Sequence, residues 1–89
     1  MPKIRFSEQF INDVAKVRES KKRAEIRKFI DLLEDLPEIG SANLPDSIIS
    51  EYGDNVRRLV VNPFLIVYEY EKDSDLVNVL GLIHAKQAW

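Results

Sequence analysis

The sequence predicts an α+β fold in which a two-helix hairpin packs on one face of a four-stranded, mainly antiparallel sheet, in the order β-α-α-β-β-β. Residues 7–36 repeat their apolar side chains with the 3.6-residue period of amphipathic helices. Residues 56–85 form apolar runs separated by turn residues, as strands do. A chain of 89 residues has enough apolar composition for one core and too little length for two. We therefore interpret residues 1–89 as a single domain.

The N-terminal segment predicts the first strand and the first helix. Lys3–Phe6 alternates charged and apolar side chains, which is typical of a short strand, and Ser7 is a favoured residue for the N-cap of a helix. Phe6 and Ile11 have the spacing of a hydrophobic staple across that cap. We predict that the helix ends near Glu19. Its apolar stripe consists of Phe10, Ile11, Val14 and Val17.

A second helix follows after two or three residues, so that the two helices form a hairpin. Ser20 is its candidate N-cap and Pro37 stops it, because proline has no N–H to donate and clashes with the preceding turn. Its apolar stripe consists of Ile26, Phe29, Ile30, Leu33 and Leu36.

The charges of this second helix oppose its own dipole. Lys21, Lys22 and Arg23 lie in the first turn, and Glu34 and Asp35 lie in the last. Each misplaced charge costs about 0.3 kcal/mol or more. The arrangement has two interpretations: a solvated face that tolerates this cost, or a basic patch that serves a partner.

Three strands are predicted in the C-terminal part of the chain, after a loop at Gly40–Ser47 and a poorly specified connection at Ile48–Asn55. The strands are Val56–Val61, Phe64–Glu71 and Leu76–Ala85. A two-residue turn at Asn62-Pro63 and a three-residue turn at Asp73-Ser74-Asp75 connect them.

This register assigns each strand residue to one of two sheet faces. One face collects Leu59, Val61, Phe64, Ile66, Tyr68, Tyr70, Leu80, Leu82 and His84. The other collects Arg58, Val60, Leu65, Val67, Glu69, Glu71, Val77, Val79, Gly81 and Ile83. Because two helices cover only one face, an apolar stripe remains on the other. That stripe is either a small plain surface or a groove to which a partner segment adds.

Composition excludes several classes of protein. The chain has no cysteine and one histidine, so disulfides, iron–sulfur clusters and thiolate nucleophiles are excluded and a zinc site is not expected. No cofactor and no metal are predicted. The longest strongly apolar run, Phe64–Val67, is far shorter than a membrane span, so we expect a soluble, cytoplasmic protein.

The net charge of −2 conceals a strong segregation along the chain. Residues 1–30 carry nine basic and four acidic side chains, a net charge of +5, whereas residues 31–56 carry seven acidic side chains and no basic one. Net charge therefore gives no general attraction to phosphate, and any affinity for nucleic acid must come from a local patch.

Motifs of the common enzyme classes are missing from the sequence: it has no glycine-rich phosphate loop, no HExxH and no GxSxG. Metal-free proton transfer remains conceivable with His84 and the cations of Lys86, Arg57 or Arg58. The plainer interpretation of His84 is a strand-end histidine that bonds to backbone or water. Trp89 either closes the core or stacks on a base.

Two segments of the C-terminal half resemble the RelE/ParE toxin superfamily. Residues 56–70 read VRRLVVNPFLIVYEY and fit the superfamily pattern R-x-L-V-V-x-P-[FY]-x-[IV]-x-Y. Residues 79–89 read VLGLIHAKQAW and fit a last strand that ends in H-[GA]-x-[RQ]-x-W. The N-terminal half is similar only in its strand–helix–helix order.

The resemblance implies a toxin of a type II toxin-antitoxin system, of the kind that contributes to plasmid stabilization and is held inactive by a cognate antitoxin protein. One branch of the superfamily cuts mRNA in the ribosomal A site, and another poisons DNA gyrase. The nuclease branch carries an arginine in the middle strand just after the turn aromatic, where this chain has Leu65. Because loss of such a cation costs a nuclease about 3–4 kcal/mol, the resemblance favours the ParE-like branch and gyrase.

The alternatives stay open at this stage. A ribosome-dependent mRNA interferase, metal-independent, would use Arg57, Arg58, His84 and Lys86, and a non-toxic member would act only as a binding module. For contacts with partners we predict the hairpin cations together with part of the second sheet face and the last residue. These are Lys16, Lys21, Lys22, Arg23, Arg27, Val60, Leu65, Val67 and Trp89.

Overall fold

The structure is a computed structural model that describes residues 2–88. Over this range the elements follow the order β-α-α-α-β-β-β-α, and the predicted α+β class is confirmed. Their bounds are β1 (Lys3–Phe6), α1 (Glu8–Ala15), α2 (Ser20–Asp35), α3 (Asp46–Tyr52), β2 (Arg57–Val61), β3 (Phe64–Glu71), β4 (Leu76–His84) and α4 (Ala85–Ala88). None of the helices in the described range combines the length and the apolar character that a bilayer crossing requires.

Across residues 2–88 the four strands form one sheet in the order β1-β4-β3-β2. β1 lies parallel to β4 at one edge, and the β2–β3 and β3–β4 pairs are antiparallel. The prediction of a mainly antiparallel sheet that includes the N-terminal strand is therefore confirmed.

The two turns of the sheet differ in how well the sequence predicted them. Val61 pairs with Phe64, so Asn62-Pro63 is the predicted two-residue turn, and its peptide bond is cis. Glu71 pairs with Leu76, which makes the next turn four residues long instead of three. Asp75 occupies the left-handed region of this turn with φ 51°, a conformation that aspartate tolerates better than most residues.

Because this turn is one residue longer than predicted, the pairing of β4 with β3 begins one residue out of the predicted register. A bulge in β4 restores the predicted register. Val67 pairs with Gly81 and Tyr68 pairs with Val79, so Leu80 has no direct partner on β3. Val77 and Val79 therefore lie on the face opposite to the predicted one, and Leu80 does too. Beyond the bulge Leu82 returns to its predicted face.

The α1–α2 hairpin covers one face of the sheet, as predicted. Its core unites helix and strand side chains that are at most 8% exposed. The cluster contains Phe10, Val17, Ile26, Ile30, Leu33, Leu59, Val61, Ile66, Tyr68, Val77, Val79 and Leu82.

The opposite face is not left uncovered, which corrects the prediction of an open apolar stripe. Ile48 of α3 and Ala88 of α4 form a second core with Val56, Leu65 and Val67. Leu65 is 1% exposed and Val67 is 0% exposed. The sequence analysis missed both helices: it assigned the residues of α3 to a loop and a connection, took Ala85 for the end of a strand and assigned no element to residues 86–88.

Both hairpin helices end earlier than predicted. α1 stops at Ala15 because the chain turns at Lys16, and the buried Val17 donates its N–H to Val14. Phe6 does not form a staple with Ile11, which is 57% exposed, but stacks on Phe10 with ring centroids 5.6 Å apart. In α2, Leu36 lies outside the helix and is half exposed.

The N-cap of α1 and a side chain within the helix bond to the backbone of β4 at the bulge and just beyond it. Ser7 Oγ accepts the N–H of Phe10 at 3.0 Å as the N-cap and donates to the Leu80 carbonyl at 2.7 Å. Asp13 Oδ2 accepts the N–H of Leu82 at 3.2 Å. Because β1 ends at Phe6, these side chains bond backbone groups of β4 that lie beyond the end of the neighbouring strand.

Candidate functional site

Arg57 forms hydrogen bonds with the loop that follows α2. Its guanidinium donates to the carbonyls of Glu38 at 3.1 Å and Gly40 at 2.9 Å, and lies 4.0 Å from the Glu38 carboxylate. Gly40 also donates its N–H to Tyr68 Oη at 2.8 Å, and a β-carbon at this glycine would lie 2.6 Å from that oxygen. The contacts of Arg57 are thus those of a residue that holds a loop in place.

Arg58 lies on the other face of β2 and is also engaged. Its Nε donates to the Asn43 carbonyl at 2.6 Å. Its backbone forms a two-bond antiparallel bridge with Ser41, in which each N–H bonds to the partner's carbonyl at 2.9 Å. The bridge covers this part of the β2 edge.

His84 lies at the end of β4 next to Lys86. Its Nδ1 accepts the backbone N–H of Lys86 at 3.2 Å, and its ring meets Phe64 edge-on with centroids 5.9 Å apart. With Nδ1 acting as acceptor, the proton of the neutral imidazole is assigned to Nε2. Lys86 is an exposed residue of α4.

The four candidate catalytic residues do not meet in one site. Arg58 pairs with Val67 while His84 pairs with Phe64, and β2 and β4 flank β3 on opposite sides. Strand geometry then separates the Cα atoms of Arg58 and His84 by about 14 Å. Leu59 and Leu82 both lie in the core beneath the α1–α2 hairpin. Because side chains alternate along a strand, Arg58, next to Leu59, points away from the hairpin, whereas His84, two residues after Leu82, points towards it. Arg58 and His84 therefore lie on opposite faces of the sheet.

The middle strand adds no cation between them. Leu65 occupies the position at which the superfamily's nuclease branch carries arginine, and it is fully buried in the second core. Trp89, a predicted contact, lies outside the described residues.

The cations of the hairpin occupy different environments. Lys16 and Lys21 are exposed, whereas Lys22 has a side chain 18% exposed and pairs with Glu25 at 3.0 Å. The guanidinium of Arg23 donates to the carbonyls of Val17 and Arg18 and thereby holds the α1–α2 connection. Arg23 of the predicted basic patch therefore also stabilises the turn between α1 and α2.

A groove of about 540 Å³ runs between the hairpin and the end of β1. We call it the helix groove. It is lined by Phe6, Phe10, Val14, Ala24, Ile26 and Ile30, together with the polar Ser20, Arg23 and Arg27. The sequence analysis named both arginines but took Phe6 for a staple residue, so it missed this apolar surface. Phe6 is 46% exposed and Arg27 is exposed, so apolar and cationic surface lie side by side.

Tyr52 of α3 packs over Gly81 of β4, at the pair that adjoins the bulge. Its hydroxyl accepts a hydrogen bond from Gln9 Nε2 at 3.1 Å. Burial, followed by the carboxylates of Glu51 and Asp13, raises the pKa of Tyr52 from 10.0 to about 12. The phenol is therefore a neutral group that positions α3 against the sheet.

Metal ligation finds no support in the side-chain arrangement. Over residues 2–88 no three His, Asp or Glu side chains are grouped so that they hold a metal ion.

The fold defines a small α+β protein, and the comparisons with known proteins give its family. Residues 4–89 match the family described as the ParE toxin of the type II toxin-antitoxin system, parDE, and the chain belongs to this family. The predicted membership of the RelE/ParE superfamily is confirmed.

Solved structures with a similar fold include two toxin–antitoxin complexes. One is the intact RelBE toxin-antitoxin complex of E. coli, with a TM-score of 0.69 and 15% identity over 92% of this chain and 94% of that chain. The other is the RelB-RelE antitoxin-toxin complex of Methanococcus jannaschii, with a TM-score of 0.61 and 23% identity over 92% and 91%. No curated protein sequence is significantly similar to the chain.

Proposed function

We propose that this ParE-family toxin inhibits cell growth by poisoning DNA gyrase and that a cognate antitoxin neutralises it. The observation that carries the proposal is the placement of the candidate nuclease groups. Arg58 and His84 lie on opposite faces of the sheet, and the middle strand offers the buried Leu65 in place of a cation. Stabilisation of a phosphorane needs its donors within about 3 Å of one reacting centre. The separation of these groups therefore favours inhibition of a target enzyme over RNA cleavage by the toxin itself.

Ribosome-dependent mRNA cleavage is the second candidate, because one observation favours it. His84 at the end of β4 accepts the backbone N–H of Lys86, the second residue of α4, so two residue types that serve acid–base chemistry are close along the chain. Arg57 and Arg58 would have to leave their carbonyl partners to join them.

Primer extension on an abundant message after induction separates the two candidates. Under the gyrase proposal the message stays intact while the DNA-damage response rises and replication stops. Codon-spaced cuts that disappear in Arg58→Ala would refute the gyrase proposal. A strain that expresses Lys28→Ala, a change at an exposed cation of α2 outside the candidate set, serves as the matched control.

The helix groove is the docking site that we propose for the antitoxin. Two solved structures of similar fold are toxin–antitoxin complexes, which supports a cognate antitoxin for this chain. An apolar floor beside the cations of Arg23 and Arg27 fits an amphipathic segment whose polar side is acidic. This proposal replaces Leu65 and Val67, which are buried within the chain, by Phe6 as an apolar contact.

Phe6→Glu tests this docking site. A carboxylate in the apolar groove is desolvated when a partner covers it, so we expect capture of the co-expressed antitoxin to fall at least about 10-fold. Ile11→Glu is the matched control, because Ile11 is an equally apolar and exposed residue that does not line the groove. Equal capture by the Phe6→Glu and Ile11→Glu variants would place the antitoxin elsewhere.

A further inference from the structure

The order of charge along α2 is not accounted for by the contacts of the chain itself. Residues 20–28 carry five basic side chains and Glu25, a net charge of 5 − 1 = +4, whereas residues 29–35 carry three acidic side chains and no basic one, a net charge of −3. Both charges lie at the end of the helix where its dipole disfavours them. A partner with the opposite order of charge would offset this cost.

The charges near the middle of α2 are exposed and unpaired. Ala24, Arg27, Asp31 and Asp35 are exposed and recur every three or four residues, so they share the face of α2 that points away from the core. Arg27 and Asp31 lie on adjacent turns, yet within residues 2–88 neither of them forms an ion pair. Their charges are therefore available to a partner.

Exposed apolar side chains accompany the charge at both ends of α2. Just after the acidic end, Leu36 is 50% exposed and Ile39 is 45% exposed, and both line a hollow of about 380 Å³ together with Asp35. Beside the basic end lies the helix groove, in which Phe6 is 46% exposed next to Arg27. Each end thus combines apolar surface with charge of one sign.

A second copy of α2, laid antiparallel to the first, has the required order of charge. The acidic half of each helix then lies along the basic half of the other, and twofold symmetry repeats the contact. Each helix N-terminus also lies near the C-terminus of the other helix, so the charges that oppose their own dipole are favoured by the dipole of the partner. A parallel arrangement would instead bring like charges together.

We propose that two copies of this chain form a dimer through antiparallel α2 helices, with Arg27 of each copy facing Asp31 of the other. Arg27 and Asp31 are equally distant from residue 29, so a twofold axis at the level of that residue forms both pairs at once. The dimer does not rest on the proposed target or on the proposed antitoxin site. If the antitoxin occupies the helix groove, it competes with the second copy, because Arg27 also lines that groove.

Sedimentation equilibrium of the purified full chain, without antitoxin, tests the proposal. As the protein concentration rises through the micromolar range, we expect the mean mass to increase from the 10.3 kDa of one chain towards twice that value. Because the contact pairs exposed charges, the dissociation constant should rise about 5-fold or more between about 50 and about 500 mM salt.

Charge reversal locates the contact. Arg27→Glu and Asp31→Arg should each raise the dissociation constant about 10-fold or more, because each change places two pairs of like charges across the axis. The double variant with both changes restores opposite charges and should dimerise within about 3-fold of the parent. Lys3→Glu makes the same kind of change at an exposed residue of β1 and should alter the dissociation constant less than about 2-fold.

Three results would overturn the proposal. The first is a constant mass of 10.3 kDa at the lower salt concentration. The second is an equal effect of Asp31→Arg or Arg27→Glu and of Lys3→Glu. The third is a double variant that is folded by circular dichroism but does not regain the dimer, which would mean that the copies associate through another surface. If the double variant does not fold, the comparison of Asp31→Arg with Lys3→Glu decides.

Discussion

Gly81 shows how a single residue sets the distance between α3 and the sheet. A β-carbon at this position would lie 2.9 Å from Cζ of the Tyr52 ring and closer still to its hydroxyl oxygen. Carbon atoms do not approach so closely without a shift of the ring or the backbone. The absence of a side chain at Gly81 thus allows Tyr52 to lie over β4.

Gly81→Ala should lower the free energy of unfolding by about 1–3 kcal/mol, because the added methyl group overpacks a closed contact. In a Tyr52→Ala background the same change should cost less than about 0.5 kcal/mol, since the ring is gone. Urea unfolding of the four proteins of this cycle measures the coupling. An equal cost in both backgrounds would show that Tyr52 does not set the spacing.

Tyr52 also makes stability depend on alkaline pH. Its pKa is raised to about 12 in the folded chain, from 10.0 for an ordinary tyrosine, so the folded state holds the proton more tightly than the unfolded state does. The stability that this provides is fully present below pH 10 and is lost as the pH rises towards about 12. Tyr52→Phe, which has no proton to lose, should therefore show a shallower decline in stability between about pH 10 and about pH 12. Parallel declines in urea unfolding would contradict this.

The two helices of the hairpin begin in different ways. Ser7 and Ser20 were both predicted as N-caps, but only Ser7 is shown to cap. The N-cap of α2 is Glu19, whose side chain forms no capping bond among the described residues. Ser20 is instead the exposed first residue of the helix.

Ser7→Ala should destabilise the fold by about 1–2 kcal/mol, because it removes the cap of α1 and the bond to the Leu80 carbonyl. Ser20→Ala is the matched control and should stay within about 0.5 kcal/mol of the parent. Chemical denaturation of both variants gives the comparison. A similar cost for the two substitutions would mean that capping does not explain the effect.

Periodicity predicted the elements with long apolar patterns and failed on the short ones. β1, α2 and the three later strands are within a few residues of their predicted bounds, because each buries a regular series of side chains. α3 has seven residues and buries only Ile48 completely, so its sequence carries too little pattern to distinguish a helix from a loop. The four-residue turn and the bulge at Leu80 depend on backbone pairing, which composition does not encode.

The sequence gives the chemistry of the candidate residues and not their arrangement. Arg57, Arg58, His84 and Lys86 were proposed as a set from their acid–base and cationic side chains, yet hydrogen bonds to loop carbonyls engage both arginines. The helix groove was missed because its floor joins β1, α1 and α2, and only the folded chain brings Phe6 next to Arg27.

At the scale of the whole molecule, cations of the positively charged N-terminal segment lie on two separate surfaces. Arg23 and Arg27 line the helix groove, whereas Lys16 lines a cleft at the end of β4 together with His84. The antitoxin contact that we propose therefore uses only part of the positive charge of residues 1–30. Neither surface brings the candidate nuclease groups together, and this separation is the basis of the gyrase proposal.

A supercoiling assay with purified gyrase tests the central claim most directly. Relaxed plasmid, ATP and gyrase are incubated with the toxin, with and without its antitoxin. We predict that the toxin blocks supercoiling, that cleaved plasmid accumulates, and that prior addition of the antitoxin prevents both effects. Undiminished supercoiling by gyrase, together with cleavage of mRNA when the same preparation is added to translating ribosomes, would contradict the account.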